Sequence, residues 1–198
     1  MKTDTPLSQA LADTVNPPLL PLPEQVAVLL SELDSPPRLA AHLRAVHDVA
    51  HQLVDWVEQH HPGVVLDRDA VLFGAATHDI GKTVHRGELS GPGSAHEEAG
   101  VALLLEHGFN PELARFAATH ASWSAPGVGP NDLLVSLADK VWKNKRVPEL
   151  EDLVVAQLAG ASGKPMWEEF LALDELLSHI GDGADQRLAF QASFPIDA

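Results

Sequence analysis

Apolar residues recur every three or four positions along most of this chain, which is the spacing of one face of an α-helix. The longest such stripe begins at residue 39 and consists of Leu39, Leu43, Val46, Ala50, Leu53 and Val57. The alternating pattern of Val, Ile and Thr that marks a half-buried strand does not occur, and nothing repeats at a fixed period. The sequence therefore predicts an all-α fold.

The charge of the chain limits the partners it can bind. Lys and Arg number 13 against 28 Asp and Glu, so the formal charge is −15. Such a surface repels phosphate backbones and anionic lipids, which argues against nucleic-acid and membrane partners. The 198 residues, 45% of them hydrophobic, suffice for one globular domain with a sizeable core.

The chain has no Cys, so any metal must bind to His and carboxylates. The 11 His outnumber the 4 Trp and 6 Phe, and their positions therefore carry most of the functional information. No apolar run approaches the roughly 20 residues of a membrane span, and the N-terminal segment lacks the layout of a signal peptide. We expect a cytoplasmic protein.

Prolines and glycines divide the first half of the chain. Four prolines near the end of residues 1–23 predict an extended arm, which is followed by a short helix over 24–33. A long helix should begin after Pro36-Pro37 and end at Pro62-Gly63. The next helix is predicted over 67–80, with Gly81 as its left-handed terminator.

Two loops rich in Gly and Pro, 83–93 and 121–130, lie between the later helices. After the first loop, Ser94 and Glu97 have the spacing of a capping box at a helix start. Four further helices are expected downstream, over about 131–145, 149–158, 165–180 and 184–192.

An adjacent His78-Asp79 pair lies at the end of a predicted helix and is followed by Gly81-Lys82. Adjacent helical residues point about 100° apart, so both can reach one metal only if it lies between this helix and its neighbours. Other helices must then supply ligands. The candidates, each on a separate predicted helix and on or beside its apolar stripe, are His47, His96, His120 and Asp139.

This ordered set resembles the HD superfamily of metal-dependent phosphohydrolases, whose signature is an early His, a His-Asp pair and a late Asp. The matches are His47, His78-Asp79 and Asp139, and the resemblance covers about residues 38–147. His96 and His120 resemble the branch with two additional histidines. The resemblance implies a helical bundle with the metal site between its helices.

The predicted organisation therefore has three parts, which are an N-terminal arm and short helix at 1–34, the HD domain at 35–147, and C-terminal packing helices at 148–198. The apolar stripes of the last part, which include Leu153, Leu158, Leu171, Leu173 and Leu177, are expected either to cover the core or to form a homodimer surface.

The resemblance also implies a ligand set. One divalent ion would be held by His47, His78, Asp79 and Asp139, and Asp79 would bridge to a second held by His96 and His120. Imidazole and carboxylate ligands suit Mn, Fe, Co, Ni or Zn better than Mg. We expect one or two such ions.

The implied activity is hydrolysis of a phosphoester or phosphoanhydride bond in a small phosphorylated substrate, a nucleotide in the first instance, by metal-activated water. Asp79 and Lys82 are the expected catalytic residues. Lys82 would also contact phosphate, together with three residues of the flanking loops, namely His85, Arg86 and Trp123.

Three alternatives remain open at this stage. His51 competes with His47, because residues four apart share a helix face. A non-catalytic module that senses a nucleotide through a metal-loaded pocket would carry the same residues. A structural metal site fits less well, since a closed site needs four ligands and this chain offers six.

Overall fold

The computed structural model describes residues 5–13 and 15–196, and no strand occurs within these ranges. The all-α prediction is confirmed. The helices are α1 Pro6–Ala12, α2 Glu24–Glu32, α3 Pro37–His60, α4 Arg68–Thr77, α5 Ala95–Glu106, α6 Pro111–Ala114, α7 Phe116–Thr119, α8 Pro130–Val141, α9 Pro148–Ser162, α10 Met166–Asp182 and α11 Ala184–Ala192, with 3-10 helices at Ile80–Thr83 and Arg86–Leu89. None of the described helices is both long and apolar enough to cross a membrane.

Helix α3 is the centre of the bundle. It packs against α1, α4, α8 and α11, so its first half is surrounded by other helices. Every residue from 39 to 47 is buried there, including Arg44, which has no exposed surface. The apolar stripe read from the sequence is therefore only part of the buried surface of this helix.

The N-terminal segment is only in part the extended arm that its prolines predict, because residues 15–23 contain no helix whereas residues 6–12 do. Pro6–Ala12 forms α1, whose first turn is capped by the hydroxyl of Thr5. The buried Arg44 guanidinium holds the segment onto α3, because it donates to the carbonyl oxygens of Ala10 at 2.8 Å and Leu19 at 3.0 Å. Residues 1–4 and 14 of the predicted arm lie outside the described residues.

Gly81 is needed for a close approach and not as a helix terminator. It lies within Ile80–Thr83 and is not among the described glycines with positive φ, so that prediction is wrong. A Cβ atom at this position would lie 1.9 Å from the carbonyl oxygen of His96 and 2.6 Å from the backbone nitrogen of Gly100. Only a glycine lets α5 pack this closely on the end of α4.

We expect Gly81→Ala to destabilise the protein by about 1 to 3 kcal/mol, the usual cost of overpacking a well-packed core. The added methyl group meets backbone atoms, so α5 must move away as a unit. Urea unfolding of this variant beside Gly87→Ala provides the measurement, since a Cβ at Gly87 meets nothing within 4 Å. Equal stability of the two variants would contradict the prediction.

The C-terminal helices complete the core on the other side of α8. Leu158, Leu173 and Leu177 are buried there, in agreement with the expectation that this segment covers the core. Leu153 and Leu171 from the same predicted stripes are 37% and 56% exposed. These helices therefore cover the core with only part of their apolar surface.

Candidate metal centre

Two buried clusters of metal-ligating side chains meet at the end of α4. The first consists of His42, His78 and Asp139, and the second of Asp79, His96 and His120. Within each cluster the candidate ligand atoms all lie within 4.8 Å of one another.

Asp79 belongs to the second cluster, but its carboxylate also faces the first. Its Oδ2 is 3.1 Å from Nε2 of His42 and 3.6 Å from Nε2 of His78. Its Oδ1 is 3.1 Å from Nε2 of His96 and 3.6 Å from Nε2 of His120. One side chain can therefore serve two cations, one through each oxygen.

Helix ends place most of these residues. His78 is the C-cap of α4 and His120 the C-cap of α7, so each ring projects from the last turn of its helix. His96 lies in the first turn of α5, and Asp139 in the last turn of α8. His42 comes from the buried first half of α3.

Backbone carbonyls fix the protonation of two rings. Nδ1 of His78 donates to the carbonyl oxygen of Ala75, and Nδ1 of His120 donates to that of Ala117, each at 3.0 Å. A carbonyl only accepts, so the proton of the neutral ring must be on Nδ1. The Nε2 lone pair then faces the cluster, as a metal ligand requires.

Burial and mutual attraction set the charges of the site. Burial lowers the pKa of His42, and burial with the nearby His78 lowers the pKa of His120 to about 4. Burial acts to raise the pKa of Asp79, but attraction to His78 and the close contacts with His42 and His96 outweigh it and hold that pKa well below its ordinary value. The neutral rings of His42 and His120 and the ionised carboxylate of Asp79 are the forms that bind metals. Burial acts to lower the pKa of His96, but the carboxylates beside that ring outweigh it and raise the pKa.

The donor set fits a divalent cation. Asp79 Oδ1 and His96 Nε2 are buried and have no hydrogen-bond partner among the described residues, although they lie 3.1 Å apart. Buried polar atoms without a partner are rare because they carry a desolvation cost. A cation between a carboxylate oxygen and an imidazole lone pair satisfies both.

Lysines flank both carboxylates. Lys82 Nζ lies 2.6 Å from Oδ2 of Asp79, and Lys140 Nζ lies 2.5 Å from Oδ2 of Asp139. Above them opens a cavity of about 420 Å³. Besides five of the six cluster residues, all but His78, its lining includes cationic and apolar residues, among them Lys82, Lys140, Lys143, Leu89, Trp142 and Leu188.

The sequence model of the HD domain family matches residues 39–144, which is more than half of the chain. The chain belongs to the HD domain family. Searches of the curated proteins and of the solved structures find no match. Membership indicates the superfamily of metal-dependent phosphohydrolases, and the two clusters indicate binding of divalent metal.

The structure places His42, which sequence analysis missed, in the first cluster, and it places the expected His47 in neither of the two clusters. His47 lies five residues further along α3, and it lines a separate cavity of about 370 Å³ together with His51 and Asp69. Burial lowers the pKa of His47 to about 3. The other expected ligands, His78, Asp79, His96, His120 and Asp139, do meet in the two clusters.

The substrate residues expected from the loops are not in the lining of this cavity, although the Trp123 ring centroid is only 5.7 Å from Nζ of Lys140, which does line it. Of the described residues, His85, Arg86 and Trp123 are not among those that line the cavity, whereas Lys82 is. The Arg86 guanidinium donates to the carbonyl oxygen of Asp34 at 3.0 Å. Lys140 and Lys143 line the cavity instead, although their sequence context is that of a solvated helix end.

We expect His42→Ala to weaken binding of the first metal ion by at least about 100-fold, because it removes one of the imidazole ligands of the first cluster. His47→Ala should leave metal affinity unchanged, since that ring lines a different cavity. Titration of both variants with Mn²⁺ by calorimetry measures this difference. The reverse order of affinities would restore His47 as the ligand.

Proposed function

We propose that this HD domain protein is a phosphohydrolase that cleaves a phosphoester or phosphoanhydride bond of a small phosphorylated molecule, with a nucleotide as the first class to test. The proposal rests on the position of Asp79, whose two oxygens face two buried ligand clusters at the floor of an open cavity. A site that merely cross-links helices needs neither the second cluster nor the cavity.

The residues that would hold the first cation are His42, His78, Asp79 and Asp139, and those for the second are Asp79, His96 and His120. Bound there, divalent cations supply Lewis acidity, which lowers the pKa of a water molecule and neutralises phosphoryl oxygens. Imidazole donors favour a transition metal over Mg²⁺.

The protein contributes position and charge. His78 and His120 keep their protons on Nδ1 through backbone carbonyls, so neither ring has to lose a proton before it binds. Lys82 and Lys140 lie against carboxylates that would also serve the cations. Their ammonium groups are then available to the phosphoryl oxygens of a substrate as point charges.

The cavity supports a small substrate. Its volume of about 420 Å³ lies in the range of small-molecule pockets, which is roughly 300 to 1,000 Å³. Lys143 adds a third cation to the lining, while Leu89 and Leu188 supply apolar walls. Lysines and apolar walls in one cavity suit a molecule with a phosphate group at one end and an organic group at the other. The lysines make the cavity locally favourable for an anion although the net charge of the chain is −15.

The test is release of phosphate or pyrophosphate from a panel of nucleotides by metal-stripped protein to which Mn²⁺, Co²⁺, Ni²⁺, Zn²⁺ or Mg²⁺ is returned. Turnover that requires both a metal and Asp79 supports the proposal. If the protein binds metal and nucleotide without turnover, the proposal is overturned in favour of a nucleotide-sensing module.

A further inference from the structure

Glu88 connects the first Gly-rich loop to a residue of the second cluster. It lies in the 3-10 helix Arg86–Leu89, and its Oε2 is 2.5 Å from Nδ1 of His96. The same oxygen accepts the backbone N–H of His96, and Oε1 accepts that of Ala95, each at 3.1 Å. One carboxylate therefore caps the first turn of α5 and binds the His96 ring.

This carboxylate takes the place of the expected capping box. Ser94 is the N-cap of α5, but its side chain makes no capping hydrogen bond, so that prediction is wrong. Room for Glu88 depends on Gly93, where a Cβ atom would lie 2.2 Å from Oε1 of Glu88. Three nitrogen atoms in the first turn of α5 hold the Glu88 carboxylate in place, so a side chain at position 93 would displace it from these contacts.

The position of His96 explains why it needs such a partner. The rings of His78 and His120 each donate Nδ1–H to the carbonyl oxygen three residues earlier, in the last turn of a helix. His96 is the second residue of α5, so three residues earlier the chain is still in the loop, at Gly93. A ring at this end of a helix has no helical carbonyl for its Nδ1.

We propose that Glu88 is a positioning residue of the second cluster, because it holds the proton of His96 on Nδ1 and so keeps Nε2 bare toward Asp79. Within the part of the chain that the structure describes, Nε2 of His96 and Oδ1 of Asp79 both lack a hydrogen-bond partner, as ligands of a shared cation would. A carboxylate on the far nitrogen also makes an imidazole a stronger donor to a metal. This inference rests on the proposed two-metal function.

The same contact relates the cavity wall to the metal centre. Leu89 and Gly93, which lie between Glu88 and His96 in the sequence, both line the cavity. Glu88 therefore fixes one wall of the cavity relative to His96.

The experiment compares the wild-type protein with Glu88→Gln and Glu88→Ala, and uses Glu98→Gln on the exposed face of α5 as the matched control. Mn²⁺ binding is measured by calorimetry, with the metal content after gel filtration. We expect the second binding event to weaken by about 10- to 100-fold in both Glu88 variants, while the first is unchanged. Unchanged affinity for both ions in Glu88→Ala would overturn the inference.

Nitrogen NMR of the metal-free proteins at alkaline pH supplies a readout that does not depend on the metal. The wild-type protein and Glu98→Gln should carry the His96 proton on Nδ1, and Glu88→Ala should shift it toward Nε2. An unchanged tautomer in Glu88→Ala overturns the inference. If the wild-type protein takes up no Mn²⁺, the proposed function fails, and the tautomer alone then decides the role of Glu88.

Discussion

Asp79→Asn is expected to lose bound metal and hydrolytic turnover together while the helical fold persists. The amide keeps the shape of the side chain but removes the charge that faces both clusters, so neither cation keeps its shared ligand. Mutation of a residue that only hydrogen-bonds to a metal ligand lowers metal affinity by about 10- to 100-fold. Asp79 itself faces both clusters, so its replacement should lower the affinity for each ion by more than that. Metal content after gel filtration and circular dichroism are the measurements.

The chain contains its own control for this variant. A second His-Asp dipeptide, His47-Asp48, lies on α3, where the Asp48 carboxylate accepts from the backbone N–H of Leu20 and from Gln52. Asp48→Asn should therefore retain metal and turnover. If Asp79→Asn keeps its metal content or its activity, the assignment of the centre is wrong.

The pair at 78–79 and the later ligands could be predicted because each comes from a different helix and lies at or near a helix end. The apolar stripe of each helix indicates which side faces the core. The order of His and Asp residues in the family signature then indicates which residues on those sides are the candidate ligands. His96, His120 and Asp139 follow from those two arguments, and the structure brings all three to Asp79 or His78.

His42 could not be separated from His47 by the same reasoning. Periodicity identifies one buried face, but the first half of α3 is buried on every side by α1, α4, α8 and α11. Both histidines are buried, at 7% and 2% exposure, so burial does not distinguish them either. The choice depends on which neighbour each ring meets, and that is a property of the tertiary packing.

The polar contacts that lie between distant segments were also beyond local sequence rules. The capping rule assigned the start of α5 to Ser94 and Glu97, yet a carboxylate from the preceding loop occupies that position. The prolines before α2 indicated an extended arm, yet Arg44 provides buried donors that hold a helical segment in place. Each contact joins residues whose proximity arises only in the folded chain.

A buried hydrogen bond outside the two metal-ligating clusters connects the C-terminal helices to α3. Glu169 of α10 is 1% exposed, and its Oε2 lies 2.5 Å from Nε2 of His61 at the end of α3. Its Oε1 accepts from the hydroxyl of Ser162 at 2.6 Å. Burial acts to raise the pKa of Glu169, but the hydrogen bonds from Ser162 and His61 outweigh it and lower that pKa.

We expect Glu169→Gln to destabilise the protein by up to about 3 kcal/mol, because the amide cannot accept from both His61 and Ser162 as the carboxylate does, and one buried donor is left without an acceptor. The carboxyl of Glu169 has a lowered pKa, so its contribution is complete above its ordinary value of 4.5 and is lost as the pH falls from there through the folded pKa. Urea unfolding across this pH range should therefore show the wild-type protein approaching the variant in acid. Glu175→Gln, an exposed position on the same helix, is the control and should follow the wild type. A constant difference between wild type and Glu169→Gln at every pH would show that the charge of Glu169 does not stabilise this contact.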